Sequence, residues 1–299
     1  MSKEKFEEAL QLASQDVEDA QLRLAEMYRE GIGIEKNFAE ALFWYEKVAS
    51  QGDALSQLRV GMIYLMGDLG VEVDDLKAEY WIRKSAEQEE SYAMYMLAML
   101  YFDGTLEESG IPQAVYWARK AAEKDNIDAL DLLTSLYIKG HGVKQNFSTA
   151  VEYCRKAVEA GHVGAQMRLG TMYFHGRGVE ASVEQGLYWT EKAAEQGNKY
   201  AQANLGGIYY EGLGVAPDAV KAVDLLNKAA EQNLVKAQLY LGSIYEYGAH
   251  NLPADVSKAA YWYRKAAEHG NKDALTRLKN MKSGSNLRLS MKPTLYLVE

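Results

Sequence analysis

The stretch DALSQLRVGMIYLMGDLGVEVDDLKAEYWIRKSAEQ, residues 53–88, contains two helical patterns joined by a glycine turn, and the rest of the chain repeats it. Its small residue Ser56 reappears as Ala93, Ala129, Ala165, Ala201, Ala237 and Ala274, each 36 or 37 residues after the last, and one step back reaches Ala20. What the protein does is therefore a question about what an array of such units can do.

Working outward, each column of the repeat has a physical reading. A tyrosine recurs as Tyr28, Tyr64, Tyr101, Tyr137, Tyr173, Tyr209 and Tyr245, with an aliphatic one helical turn before it: Leu24, Val60, Leu97, Leu133, Leu169, Leu205 and Leu241. That spacing marks one face of a helix. Beside each aliphatic stands a small residue, Ala25, Gly61, Ala98, Thr134, Gly170, Gly206 or Gly242. Glycine inside a helix costs about 1 kcal/mol relative to alanine, so its recurrence predicts a close helix-to-helix contact. Gly31, Gly67, Gly104, Gly140, Gly176, Gly212 and Gly248 follow as left-handed caps. The second helix starts from N-capping residues such as Asn37, Asn146, Ser182, Asp218 and Asp255. Its core position is read as Trp44, Trp81, Trp117, Tyr153, Trp189, Leu225 and Trp262, which takes in all 5 tryptophans. Three residues on runs a lysine series, Lys47, Lys84, Lys120, Lys156, Lys192, Lys228 and Lys265, expected to lay its stems over the neighbouring helix with its charges near helix C-termini. Units are joined at Gly52, Gly161, Gly197, Gly270, Asp125 and Asn233, and only Glu89 departs from the residue types that accept a positive φ.

Composition narrows the function classes. The chain has 299 residues, 48% hydrophobic, with 33 basic against 42 acidic side chains and a net charge of -9. That balance argues against nucleic acid as a partner. Cys154 is the single cysteine, which leaves no intrachain disulfide and no multi-cysteine zinc site. No apolar signal region opens the sequence and no 18-residue apolar run occurs in it, so the expectation is a soluble cytoplasmic protein without membrane contact.

Taken together, A-x3-L-G-x2-Y-x2-G-x-G-V followed by K-A-x2-W-Y-x-K-A-A-x2-G resembles the Sel-1-like repeat, a relative of the tetratricopeptide repeat. The fifth unit states the pattern nearly in full, from Ala165 through Leu169, Gly170, Gly176, Gly178 and Val179 to Trp189, Lys192, Ala193 and Ala194. The resemblance implies an all-α, right-handed α/α superhelical solenoid of seven helix-turn-helix repeats with half-repeat caps. Repeats are expected near 19–52, 53–89, 90–125, 126–161, 162–197, 198–233 and 234–270, with cap helices at 3–14 and 272–281 and a tail over 282–299. The tail, ending KPTLYLVE, is expected to fray or to dock, either in the molecule's own groove or on a second copy, which would give self-association.

If tetratricopeptide geometry carries over, first-helix positions six and two before the repeat tyrosine, and one or two after it, line an inner curve. The second unit puts Leu58, Met62, Leu65 and Met66 there, and the third puts Tyr95, Met99 and Phe102, with Tyr92 one turn earlier; Phe174 and Tyr210 follow further on. Flexible methionine and rigid aromatics suit a groove for a peptide or an amphipathic helix, although close packing between neighbouring first helices would use the same residues. No nucleophile elbow, phosphate loop or zinc-binding helix motif occurs. His141, His162, His175, His250 and His269 read as solvated turn residues, the acidic pairs Asp74–Asp75 and Glu107–Glu108 as loop or helix-start charge, and Cys154 as core. The expected function is a non-enzymatic scaffold or adaptor that holds a protein or peptide on its concave face, with no cofactor and no metal. The alternative is an immunity or inhibitor protein that neutralises one toxin or enzyme, and an enzyme stands a remote third.

Overall fold

The computed structural model describes residues 2–105, 110–249 and 252–283. Glu107, Glu108, His250 and the tail reading of KPTLYLVE lie outside the described residues. The chain divides between Gln145 and Asn146 into two units, a point that falls inside the fourth repeat. The first unit holds α1 (Ser2–Ala13), α2 (Glu18–Glu30), α3 (Phe38–Gln51), α4 (Ala54–Met66), α5 (Asp75–Glu87), α6 (Ser91–Phe102), α7 (Gly110–Glu123) and α8 (Ile127–Lys139). The second holds α9 (Phe147–Glu159), α10 (Val163–His175), α11 (Val183–Glu195), α12 (Lys199–Glu211), α13 (Ala219–Glu231), α14 (Val235–Tyr247), α15 (Val256–Glu268) and α16 (Lys272–Ser283). No strand forms among the described residues. Within each unit, the two helices of one repeat form the closest pairs, and each hairpin then packs on the next.

The local signals act as physical chemistry requires. Asn37, Asp74, Asn146, Ser182, Asp218 and Asp255 each accept the backbone N–H three residues on, which starts the second helix of their repeat. Gly31, Gly67, Gly140, Gly176 and Gly212 close first helices in the left-handed conformation. Glu89 adopts that conformation too, at φ 63°, so it departs from the joining residues in type and not in shape.

The close contact foretold by the small column exists, and its other half corrects the tryptophan reading. A Cβ added to Gly61 would lie 2.5 Å from Ile82, and one added to Gly242 would lie 2.5 Å from the ring of Tyr263. The most buried second-helix position is thus one residue after the tryptophan column: Tyr45, Ile82, Ala118, Cys154, Thr190, Leu226 and Tyr263 are all buried. Trp44 and Trp117 are buried as read, at 9% and 8% exposed, whereas Trp81, Trp189 and Trp262 are only half-buried. Each of Trp44, Trp81, Trp117, Trp189 and Trp262 instead meets the preceding aromatic ring edge-on. The residue after the tryptophan column enters the seam, where Ile82, Thr190, Leu226 and Tyr263 face Gly61, Gly170, Gly206 and Gly242, and Trp81, Trp189 and Trp262 lie above it.

The lysine series lies in the last turn of its helices as expected, at Lys84, Lys120, Lys156, Lys192, Lys228 and Lys265, but its stems run mainly along their own helix. Lys47 lies 5.0 Å over the Trp44 ring of its own helix and pairs with Asp16, after α1, at 2.8 Å, and Lys84 lies 5.6 Å over Trp81 of its own helix. Lys120, Lys192 and Lys265 approach an acidic residue three positions on. Three residues are one helical turn, which brings both the ring and the carboxylate within reach of the ammonium.

A buried glutamine column is absent from the reading of the sequence. The Gln21 side chain donates to the Ala13 carbonyl at 3.2 Å and accepts from Gln51 at 3.0 Å, and Gln57 does the same with Ala49 and Gln88 at 3.0 and 2.8 Å. In the second unit Gln202 bonds Ala194 and Gln232 likewise, at 3.3 and 2.9 Å. Each such glutamine joins three successive helices. Gln238 donates to Ala230, but its Oε1 is buried without a partner, because His269 stands where the ladder places Gln51, Gln88 and Gln232.

Candidate functional site

The first helices carry the residues singled out for binding, and the two units treat them differently. On α4, Leu58, Met62 and Leu65 are half-buried and Met66 is 65% exposed; Leu65 also packs on the N-terminal core. On α6, Tyr95, Met99 and Phe102 are half-buried and Tyr92 is 41% exposed. The Tyr92 and Tyr95 rings lie 5.9 Å apart, and Phe102 meets His141 edge-on at 5.9 Å. Burial, aided by the charges of Asp128 and Asp131 among its neighbours, raises the Tyr95 hydroxyl pKa.

In the second unit the corresponding positions close up. Six before the repeat tyrosine stand the buried Met167 and Ala203 and the half-buried Leu239, and two before it stand Thr171, Gly207 and Ser243, all three buried. Phe174 lies against Gly186 of its hairpin partner, where a Cβ would come within 2.8 Å of the ring. Tyr210 meets Tyr240 edge-on at 5.5 Å and packs on the C-terminal core. The exposed members of the stripe are Met66 and Tyr92 on α4 and α6 and, in the second unit, Tyr200 and Tyr247, 39% and 48% exposed. Leu55, 64% exposed, extends it by one turn and is the repeat counterpart of Tyr92, a relation the 37-residue step between Tyr64 and Tyr101 already contained.

Beside this stripe is a cavity of about 180 Å³ lined by Glu26, Arg29, Tyr45, Arg59, Met62, Ile63, Met66, Asp68 and Leu69. One side of it is formed by the loop after α4, which carries one extra residue. That residue makes a 3-10 turn over Asp68–Gly70 and folds Leu69 inward, in left-handed conformation at φ 54° and only 7% exposed. Holding a non-glycine residue in that conformation costs roughly 1–2 kcal/mol, which burial of the leucine offsets. Arg59 sits 5.2 Å over the Tyr45 ring and holds Glu26 at 2.6 Å, and Arg29 holds the other oxygen of Glu26 at 2.8 Å. Burial first, then the nearby Glu26 carboxylate, pushes the Tyr45 hydroxyl up to about 12. That hydroxyl and the Arg29 Nε are buried with no hydrogen-bond partner.

The remaining candidates have structural duties. His162 caps α10, accepting from the Ala165 N–H at 3.2 Å, and His175 contacts the Thr171 carbonyl at 2.9 Å. Cys154 is fully buried and directs its thiol to the Ala165 carbonyl at 3.3 Å. Among the described residues no cluster of histidine, cysteine and carboxylate side chains could hold a metal ion, and no helix is long and apolar enough to cross a membrane.

Comparison with known proteins agrees with the hairpin geometry. The Sel1 repeat profile matches residues 18–53, 54–90, 91–126, 132–162, 163–198, 199–234 and 235–271. Among solved structures, c5321, a protective antigen of uropathogenic Escherichia coli strains displaying an SLR fold, is 32% identical at a TM-score of 0.75, over 91% of this chain. This chain spans 58% of that protein's length. A Sel1 repeat protein from Oxalobacter formigenes is 31% identical at a TM-score of 0.79, over 92% of this chain and 79% of that one. The immunity protein Pa5087 of Pseudomonas aeruginosa is 19% identical at a TM-score of 0.36, too remote to bear on function. No protein of curated function matches significantly. Seven matched repeats, hairpin after hairpin of the same geometry, and two solved relatives above 30% identity make this chain a member of the Sel1 repeat family, an all-α solenoid.

Proposed function

We propose that this protein is a non-enzymatic scaffold that binds a protein or peptide partner through the first-helix stripe of its first unit. Sel1 repeat proteins are generally protein-interaction scaffolds, and that much applies to the chain by membership. The observation that carries the finer reading is the contrast between the units. Two residues before the repeat tyrosine, Thr171, Gly207 and Ser243 are small and buried, whereas Met62 and Met99 on α4 and α6 are large, apolar and half-buried. Packing at that position is satisfied by the small residues, so Met62 and Met99 are not what the fold requires there. Leu55, Met66 and Tyr92 add apolar surface in water on the same two helices. Methionine adapts to a partner's shape and tyrosine anchors it at little entropic cost.

Two exposed or half-exposed rings provide the test. In the Tyr92→Glu/Tyr95→Ser variant, thermal stability should stay within a few degrees of the parent, while the partners captured from cells by affinity purification should be lost. An unchanged set of partners, in a variant that melts as the parent does, would sink the proposal.

A further inference from the structure

The stripe of the first unit changes character from helix to helix. Nine residues before the repeat tyrosine stand Leu55 on α4, Tyr92 on α6 and Asp128 on α8, and six before it stand Leu58, Tyr95 and Asp131. The same two columns thus run from apolar to acidic within one unit. Asp128 is exposed, and so is Asp103 at the end of α6. Burial first, and then charges that include Asp128 and Asp103, raises the Tyr95 hydroxyl, so both carboxylates lie near that ring. In the second unit Tyr200 and Tyr247 are exposed as well, but there the counterpart of Asp128 on α14 is the exposed Lys236.

A partner of the first-unit surface has to bring apolar side chains beside positive charge, since acidic groups on it would meet Asp103 and Asp128. The chain itself carries such a segment, and it belongs to no repeat. Residues 286–298, after α16, read NLRLSMKPTLYLV. They hold two bases, Arg288 and Lys292, and no acid, and beyond Pro293 comes the apolar run Leu295, Tyr296, Leu297 and Val298. Its order, bases and then apolar residues, matches the order of the surface from α8 to α4. Its length matches too. From Arg288 to Leu297 the chain reaches at most about 30 Å, and three neighbouring first helices, at the ~10 Å spacing of packed helices, cover about 20 Å. Lys236 in the equivalent place directs the same bases away from the second unit.

We propose that the first-unit stripe takes residues 286–298 of a second copy of this chain, with Arg288 and Lys292 against Asp103 and Asp128 and the apolar run over Tyr92, Tyr95 and Leu55. This rests on the scaffold reading above and names a partner for its stripe. Each copy lends its segment to the other, so the assembly closes at two copies as a self-complementary dimer.

Sedimentation velocity on the full chain over a range of concentrations should show a reversible species of twice the 33.4 kDa chain mass. Arg288→Glu/Lys292→Glu should weaken pairing about tenfold, and Asp128→Lys by a similar factor, because each sets like charges against one another. Combining the two should recover part of the loss, which damage to the fold would not do. Tyr92→Glu/Tyr95→Ser should abolish pairing. A fluorescein-labelled peptide of residues 286–298 should bind the full-length Arg288→Glu/Lys292→Glu chain saturably, and added salt should weaken it. A monomer at every concentration, pairing indifferent to the charge reversals, or a peptide that binds equally well after Asp128→Lys would each overturn the pairing. Loss of captured partners in Tyr92→Glu/Tyr95→Ser, from a parent chain that stays monomeric, would overturn the pairing alone, whereas pairing through the segment with an unchanged set of captured partners would overturn the scaffold reading alone.

Discussion

Tyr45 and Tyr263 occupy the same position of the first and last full repeats, each beneath the arginine that follows in the next helix, Arg59 at 5.2 Å and Arg277 at 5.7 Å from the ring. In the second unit the group closes on itself. The Tyr263 hydroxyl donates to Glu246 at 2.6 Å, and Arg277, its side chain only 13% exposed, bonds the same carboxylate at 2.9 Å and the Tyr247 hydroxyl at 3.0 Å. In the first unit Glu26 is taken up by the two arginines and the Tyr45 hydroxyl is stranded. The small residue facing each ring supplies a cause. Gly242 leaves room for Tyr263, whereas its counterpart Ala25 carries the Cβ that at position 242 would stand 2.5 Å from the ring. One methyl group separates a sealed cluster from one that keeps a cavity and a free donor.

The comparison breaks most readily at that methyl. Gly242→Ala should displace the Tyr263 ring and lower unfolding free energy by about 2 kcal/mol, measured by urea denaturation. If the methyl acts as described, the loss from Tyr263→Phe should shrink in that background. Next in size, Tyr263→Phe alone should cost roughly 1.5 kcal/mol, because it removes a hydrogen bond to a charged acceptor. A loss below ~0.5 kcal/mol would mean that the closed cluster is no stronger than the open one. His269→Gln should gain about 1 kcal/mol by giving the buried Gln238 Oε1 its missing donor, seen as a raised urea midpoint with unchanged slope. Tyr45→Phe should lie within ~0.5 kcal/mol of the parent, since it deletes a hydroxyl that bonds nothing.

The two tyrosines also predict an alkaline limb. Burial first, and then a carboxylate, raises both hydroxyls above the ordinary value of 10.0, Tyr45 to about 12. Each is thus kept neutral by the fold. The stabilisation is full below pH 10 and is lost as pH rises through the raised values, so unfolding free energy should fall from pH 10 upward. In denaturation series across that range, Tyr263→Phe should flatten the fall more than Tyr45→Phe, because the Tyr263 hydroxyl is the more strongly raised.

Much of this architecture is written in the repeat columns. Gly61 and Gly242 announced a close seam, Gly31 and Asn37 announced helix ends, and the tyrosine column announced a packed face. The tryptophan column was read correctly at Trp44 and Trp117, which are buried, and too deeply at Trp81, Trp189 and Trp262, because the variable residue after each tryptophan takes the seam. That column runs from Ala118 to Tyr263, and its character appears only when each member is set against the small residue it faces. Leu58, Met62, Tyr95 and Met99 were legible as a stripe, but their exposure depends on which neighbours close over them. Phe174 shows this directly: its ring lies against its own hairpin partner at Gly186, not free on the stripe. The cavity at Tyr45 had no sequence signal beyond the extra residue before Tyr101.

The glutamine ladder bears on a problem peculiar to repeats: near-identical hairpins can stack in the wrong order while the chain folds. Gln21, Gln57, Gln166, Gln202 and Gln238 share one column, and Met94 and Leu130, both buried, interrupt it. A glutamine helix laid against the wrong neighbour would bury an amide with nothing to bond, at about 1–3 kcal/mol, whereas the correct neighbour adds little net stability. The ladder therefore serves as a key to assembly order, selecting against mis-stacked intermediates more than it strengthens the finished fold.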